Sequence, residues 1–175
     1  MNQSLAKAMM RLAGTDITFD VPQLDDLPLF NQSLLEAGMP SPVLRLRKSI
    51  EAADGILIVT PEHNRSITAL LKNSLDWLSR PANANSWTGK PVAIAGASLG
   101  RLGTVAAQQH LRAILGYLDM PTMGQPEVYL QLTPGMFTGD GEIADESTKA
   151  FLQGYMQKFH RWVRTHSRVA EPVPG

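Results

Sequence analysis

Short apolar runs and helical stripes alternate along this chain. Leu5, Ala8, Met9 and Leu12 recur at helical spacing with Gly14 behind them, which predicts an opening helix and its stop. "DITFDVPQL" alternates like a strand that ends near Pro22. "DLPLFNQSLLEAGMPSP" is rich in turn formers and reads as one long surface connection. Val43, Leu46, Ile50 and Ala53 then mark a helix, and "GILIVT" is the uninterrupted apolar run expected of a strand buried on both faces. Ile67, Leu70, Leu71, Leu75 and Leu78 stripe the next helix, with Ser66 or Asn64 available as its cap and Pro81 as its terminator. "PVAIAGAS" is a second buried strand, followed by a helix on Val105, Leu111, Ile114, Leu115 and Leu118. "PEVYLQL", flanked by Pro126 and carrying Gln131, suits an edge strand. Phe151, Tyr155, Phe159, Trp162 and Val163 trace a long last helix before a flexible tail at 168–175.

Apolar strands separated by helix-length connections predict an α/β fold: a doubly wound parallel sheet with helices on both faces, as a single domain over 1–167. One element is out of order. Such sheets begin with a strand near their centre, and this chain begins with a helix.

Composition removes several functions. Sixteen Lys and Arg balance sixteen Asp and Glu without a basic block, which argues against nucleic acid as a partner. The absence of cysteine excludes disulfides, thiolate metal sites and thiol redox chemistry, so any redox role needs a bound cofactor. No signal-like N-terminus is present, and no apolar run approaches the roughly 20 residues that span a bilayer. The expected address is the cytoplasm, with no membrane partner. His160 and His166 stand six apart with no carboxylate or cysteine spacing to complete a metal site, so no metal is expected.

In parallel sheets ligands sit beyond the carboxyl ends of the strands. Two loops hold that position here, Pro61-Glu62-His63-Asn64-Arg65-Ser66 and Ala97-Ser98-Leu99-Gly100-Arg101-Leu102-Gly103-Thr104. The glycines of the second allow close backbone approach or positive φ. Gly96-Ala97-Ser98-Leu99-Gly100 also matches the G-x-S-x-G pattern of a serine nucleophile, with Asp145 and His160 or His166 downstream. Those partners fall on the last helix rather than on loops at strand ends, so the hydrolase reading is disfavoured.

The first loop, continued by Leu71-Lys72-Asn73-Ser74-Leu75-Asp76-Trp77-Leu78, resembles the signature of the NADPH-dependent FMN reductase family. Gly89-Lys90-Pro91, then Ser98, Gly100 and Gly103, then His110-Leu111-Arg112, fall where that family has its second flavin loop and following helix. The resemblance implies a flavodoxin-like fold and an FMN-dependent oxidoreductase that takes electrons from NADPH or NADH and passes them to a quinone-like small-molecule acceptor. It also implies a homodimer or homotetramer. Carried over by position, Pro61, Glu62, His63, Asn64 and Ser66 would line one part of the ring site and Ser98, Leu99, Gly100 and Gly103 another. The flavin carries the hydride chemistry, so no separate catalytic residue is expected. Glu62 has a second reading, as an acceptor of backbone amides that orients its loop. His63 stands where the family commonly has tyrosine. Of the family's phosphate loop only Asn2, with Ser4-Leu5-Ala6 after it, is recognisable. The first strand is missing, and Met1 is therefore read as an internal residue of a longer natural chain. Two other readings share the fold: a flavodoxin-type electron carrier, and a truncated, flavin-free binding module.

Overall fold

β2 (Val92–Ser98) lies between β1 (Ile56–Val59) and β3 (Val128–Gln131) in a three-stranded parallel sheet of order β1-β2-β3. These coordinates come from a computed structural model in which residues 1–167 are described. The tail expected at 168–175 lies outside the described residues. Ile56 pairs with Val92 and Ala95 with Val128. Every β2 residue before Ser98 is buried. The pleat explains the near-continuous apolar run, because successive side chains serve two different cores. Val92 and Ile94 face a cluster built with α3 (Ser41–Ala52), α4 (Ala69–Leu78) and α5 (Val105–Tyr117). Ala93, Ala95 and Ala97 face another built with α1 (Asn2–Leu12) and α6 (Glu146–His166). The expected doubly wound arrangement, with helices on both faces, is therefore present.

Several local expectations are corrected. No strand forms at 16–24; with no strand between it and β1, this segment has no ladder to join. The presumed loop after it contains a short helix, α2 (Gln32–Ala37), begun by the Asn31 side chain accepting from the Ser33 and Leu34 N–H groups. β1 is not buried on both faces: only Ile58 is fully buried, because β1 is an edge strand. The cap of α4 is neither Asn64 nor Ser66 but Thr68, whose hydroxyl accepts from Leu71 N–H at 3.2 Å. Trp87, in the polar loop before β2, is buried and donates its indole N–H to Leu75 C=O. Asp145 is the cap of α6, and the hydroxyl of Ser147 and the Thr148 backbone hold its carboxyl down at about 2.

The Asn73 and Trp77 positions of the family-like segment serve the fold. Asn73 accepts from Phe30 N–H and donates to Pro28 C=O, and Trp77 donates to the same carbonyl at 2.7 Å. Together they pin the long connection onto α4.

The buried Tyr155 hydroxyl donates to Ile94 C=O at 2.7 Å, which ties α6 to the central strand. Burial raises its pKa well above the ordinary tyrosine value. The folded state therefore keeps a proton that the unfolded chain releases above about pH 10, so stability present below that pH falls as pH rises further. Tyr155→Phe is expected to cost about 1 kcal/mol at neutral pH and to flatten the alkaline loss, as urea unfolding midpoints measured from pH 7 to 11 would show.

Candidate active site

The strands end together, and the loops after β1 and β2 form one edge. Thr60 continues β1 by donating to Ala95 C=O at 2.9 Å, and Pro61 then ends the ladder. His63 and Ser66 exchange backbone bonds in both directions at 3.0 and 2.9 Å, closing a tight turn over Asn64 and Arg65. Both central residues have positive φ, 51° and 65°, the conformation of a turn that reverses the chain in two residues.

Glu62 clamps this turn to the rest of the site. Its largely buried carboxylate accepts from the Ala107 N–H at 3.0 Å, in the first turn of α5, and lies 3.5 Å from the exposed Arg65 guanidinium. A carboxylate at a helix start satisfies a free N–H and meets the positive end of the helix dipole. Of the two sequence readings for Glu62, the geometry supplies the orienting one. Ser66 Oγ is 2.7 Å from His110 Nδ1, so a histidine on α5 joins the same clamp.

The second loop is held from within. Ser98 Oγ donates to Gly103 C=O and, at 3.3 Å, to Gly100 C=O, while Gly103 N–H donates to Gly100 C=O at 3.0 Å. Its hydroxyl proton is committed to carbonyls, and no histidine among the described residues bonds to it, so the nucleophile arrangement is not assembled. Gly103 has φ 59°, and a Cβ there would stand 2.8 Å from the Tyr129 carbonyl carbon. Only glycine lets this loop lie against β3. Leu99 and Gly100 are exposed at its tip.

Asn2 sits at the end of β2, where its side chain donates to Ala97 C=O at 2.8 Å and accepts from Ala97 N–H at 2.9 Å. Its amide thus extends the sheet, and a ligand would reach it only by displacing those bonds. A cavity of about 1240 Å³ runs beside β1 and reaches Asn2, Pro61 and His63. Glu62, Asn64, Ser66, Ser98, Leu99, Gly100 and Gly103 lie outside its lining.

The donor set left on this edge suits a flat, acceptor-rich ring with an anionic tail. The backbone N–H groups of Glu62, Asn64, Arg65 and Leu99 to Leu102 have no acceptor among the described residues. At the start of α1, which has no side-chain cap, the first N–H groups are likewise free, the usual ground for a phosphate. These donors were invisible in the sequence, because backbone groups carry no residue signature. Among the described residues no group of three or more His, Asp and Glu is gathered for a metal, and no helix is long and apolar enough to cross a membrane.

A parallel sheet covered on both faces, with glycine-containing and cap-forming loops gathered at its carboxyl edge, defines a flavodoxin-like α/β protein. The chain belongs to the NADPH-dependent FMN reductase family, whose model matches residues 1–134. It is 44% identical to a 2-hydroxy-1,4-benzoquinone reductase of Burkholderia sp., over 93% of this chain and 88% of that protein. It is 37% identical to a quinone reductase of Pseudomonas putida, over 96% and 90% respectively. Among solved structures it is similar to the flavoenzyme NAD(P)H:(acceptor) oxidoreductase FerB of Paracoccus denitrificans, with a TM-score of 0.91 and 39% identity over 95% of this chain and 91% of that one.

Proposed function

We propose that this protein is an NAD(P)H-dependent FMN oxidoreductase that reduces a quinone-like small molecule. The observation that carries the reading is the set of free backbone donors on the two carboxyl-edge loops, on a fold shared with quinone reductases. When bound, FMN would supply hydride acceptance from the nicotinamide and electron delivery to the acceptor. The chain's own residues would do the holding. Leu99, Gly100, Arg101 and Leu102 offer N–H groups to ring carbonyls, the turn at His63 to Ser66 borders the ring, and Pro61 fixes where that turn begins. Gly103 and Ser98 set the shape of the second loop. Asn2 and the opening turn of α1 stand at the phosphate end. The exposed Leu99 and Leu102 give the site an apolar rim against which a quinone can lie. One domain over 1–167, a cytoplasmic address and a homodimer or homotetramer belong to the same reading, the exposed Tyr117 and Phe151 offering aromatic surface to a second copy.

The test is the visible spectrum of the protein after incubation with FMN and gel filtration, followed by NADPH oxidation with a benzoquinone. Stoichiometric flavin and acceptor-dependent turnover are expected. Flavin without turnover would favour an electron carrier, and a folded, colourless protein would refute the reductase reading.

A further inference from the structure

The loops after β1 and β2 carry one acid, Glu62, and two arginines, Arg65 and Arg101. Glu62 is 11% exposed and its carboxylate is engaged by the Ala107 N–H. Arg65 is 73% exposed, with Glu62 at 3.5 Å as its ion-pair partner, and Arg101 is exposed with no ion-pair partner among the described residues. The acids of the loop after β3 are held where they stand: Asp140 accepts from the Thr138 hydroxyl, Glu142 lies 3.6 Å from Lys149, and Asp145 caps α6. The exposed charge on the two site loops is therefore positive, on a chain with no net charge. Arg65 also occupies a position that glycine fills more readily, at φ 65°. An exposed side chain kept in that conformation adds little to packing, so its use lies in what the guanidinium meets. The turn that carries it is fastened to α5 at both ends, through Glu62 and Ser66. Arg101 stands between Leu99 and Leu102, which are 70% and 62% exposed.

We propose that Arg65 and Arg101 make this site select acceptor quinones that carry an anionic oxygen group, such as a sulfonate, a carboxylate or an ionised hydroxyl. The inference rests on the quinone-reductase reading and deepens it by naming the substrate class. Leucines beside an arginine suit a ligand with a flat apolar body and one anionic group. The guanidinium stacks on an aromatic face and donates in a fork to paired oxygens, which an ammonium does not. A neutral quinone meets only the apolar rim. An anionic one meets the rim and the two cations, and is drawn to the edge by their field.

The test compares a sulfonated naphthoquinone with its methyl analogue as acceptors of the flavin-loaded protein. The ratio of their kcat/KM values is expected to fall about fivefold in Arg65→Gly, the size of an ion pair at an exposed site, and further when Arg101→Gln is added. Salt should lower the ratio in the parent and leave it unchanged in the double variant. Binding of naphthalenesulfonate, read by calorimetry without turnover, should weaken by the same factor. Glycine suits the positive φ, so Arg65→Gly is expected to keep a urea midpoint at or above that of the parent, which separates lost recognition from lost folding. An unchanged ratio in a protein that still reduces the methyl analogue would overturn this inference alone, whereas a protein that takes up no flavin would overturn the reductase reading and this one with it. A KM that rises for NADPH but not for NADH, at a constant acceptor ratio, would assign the arginines to the nucleotide phosphate and would also overturn the proposal.

Discussion

Gly96→Ala is expected to destabilise the fold by about 3 kcal/mol, at the upper end of overpacking substitutions. Gly96 sits in the central strand opposite Tyr129, at the level where β1 gives way to the first loop. A Cβ there would collide with the Thr104 hydroxyl and with the Thr60 carbonyl oxygen. The hydroxyl can rotate away, but the carbonyl belongs to the main chain and cannot move without shifting the end of β1. Thr104 is also buried, at the start of α5. The added methyl therefore separates the elements that present the two site loops. Urea unfolding of Gly96→Ala measures the effect. A midpoint equal to that of the parent would show that the close approach of helix and strand has slack.

The largest effect on the site is expected from Glu62→Ala. Removing the carboxylate leaves the Ala107 N–H without its acceptor and frees the turn from α5. A hydrogen bond to a charged group contributes about 1.5–3 kcal/mol, so FMN affinity is expected to fall about tenfold or more if the turn must be held in place to meet the ring. The pairing with exposed Arg65 contributes little to this. Glu62→Gln keeps an oxygen for the N–H but removes the charge at the helix start, and should fall between parent and alanine variant. Flavin fluorescence titration of the three proteins provides the ranking. Equal affinities would mean that the bond to α5 does not position the loop for the cofactor.

The parts of the fold that were legible in the sequence are those in which burial alone decides. A run such as Val92 to Ala97 has to be covered on both faces, and the stripes of α1, α5 and α6 had to meet it. The alternation at Ile17 to Val21 predicts a strand because side-chain pattern is necessary for one, but a strand also needs a neighbour, and this segment pairs with none of the three strands. α2 escaped detection because six residues are too few for a periodic signal, and the Asn31 that caps it was counted among turn formers. Trp87 is a related case: a polar loop around it says nothing about where its ring turns, and the ring is buried.

By itself the sequence determined the α/β class, the order of most elements, the absence of thiol chemistry and the family likeness of the two loops, because each depends on residue type and local spacing. Only the tertiary structure decided what those loop residues touch. Glu62 meets an N–H 45 positions further on, Ser66 meets His110, and Asn2 completes a strand that begins 90 residues after it. Such pairings follow from the crossover connections that bring distant chain to one edge of the sheet. So does the edge position of β1, since which strands lie side by side is not carried by any single segment.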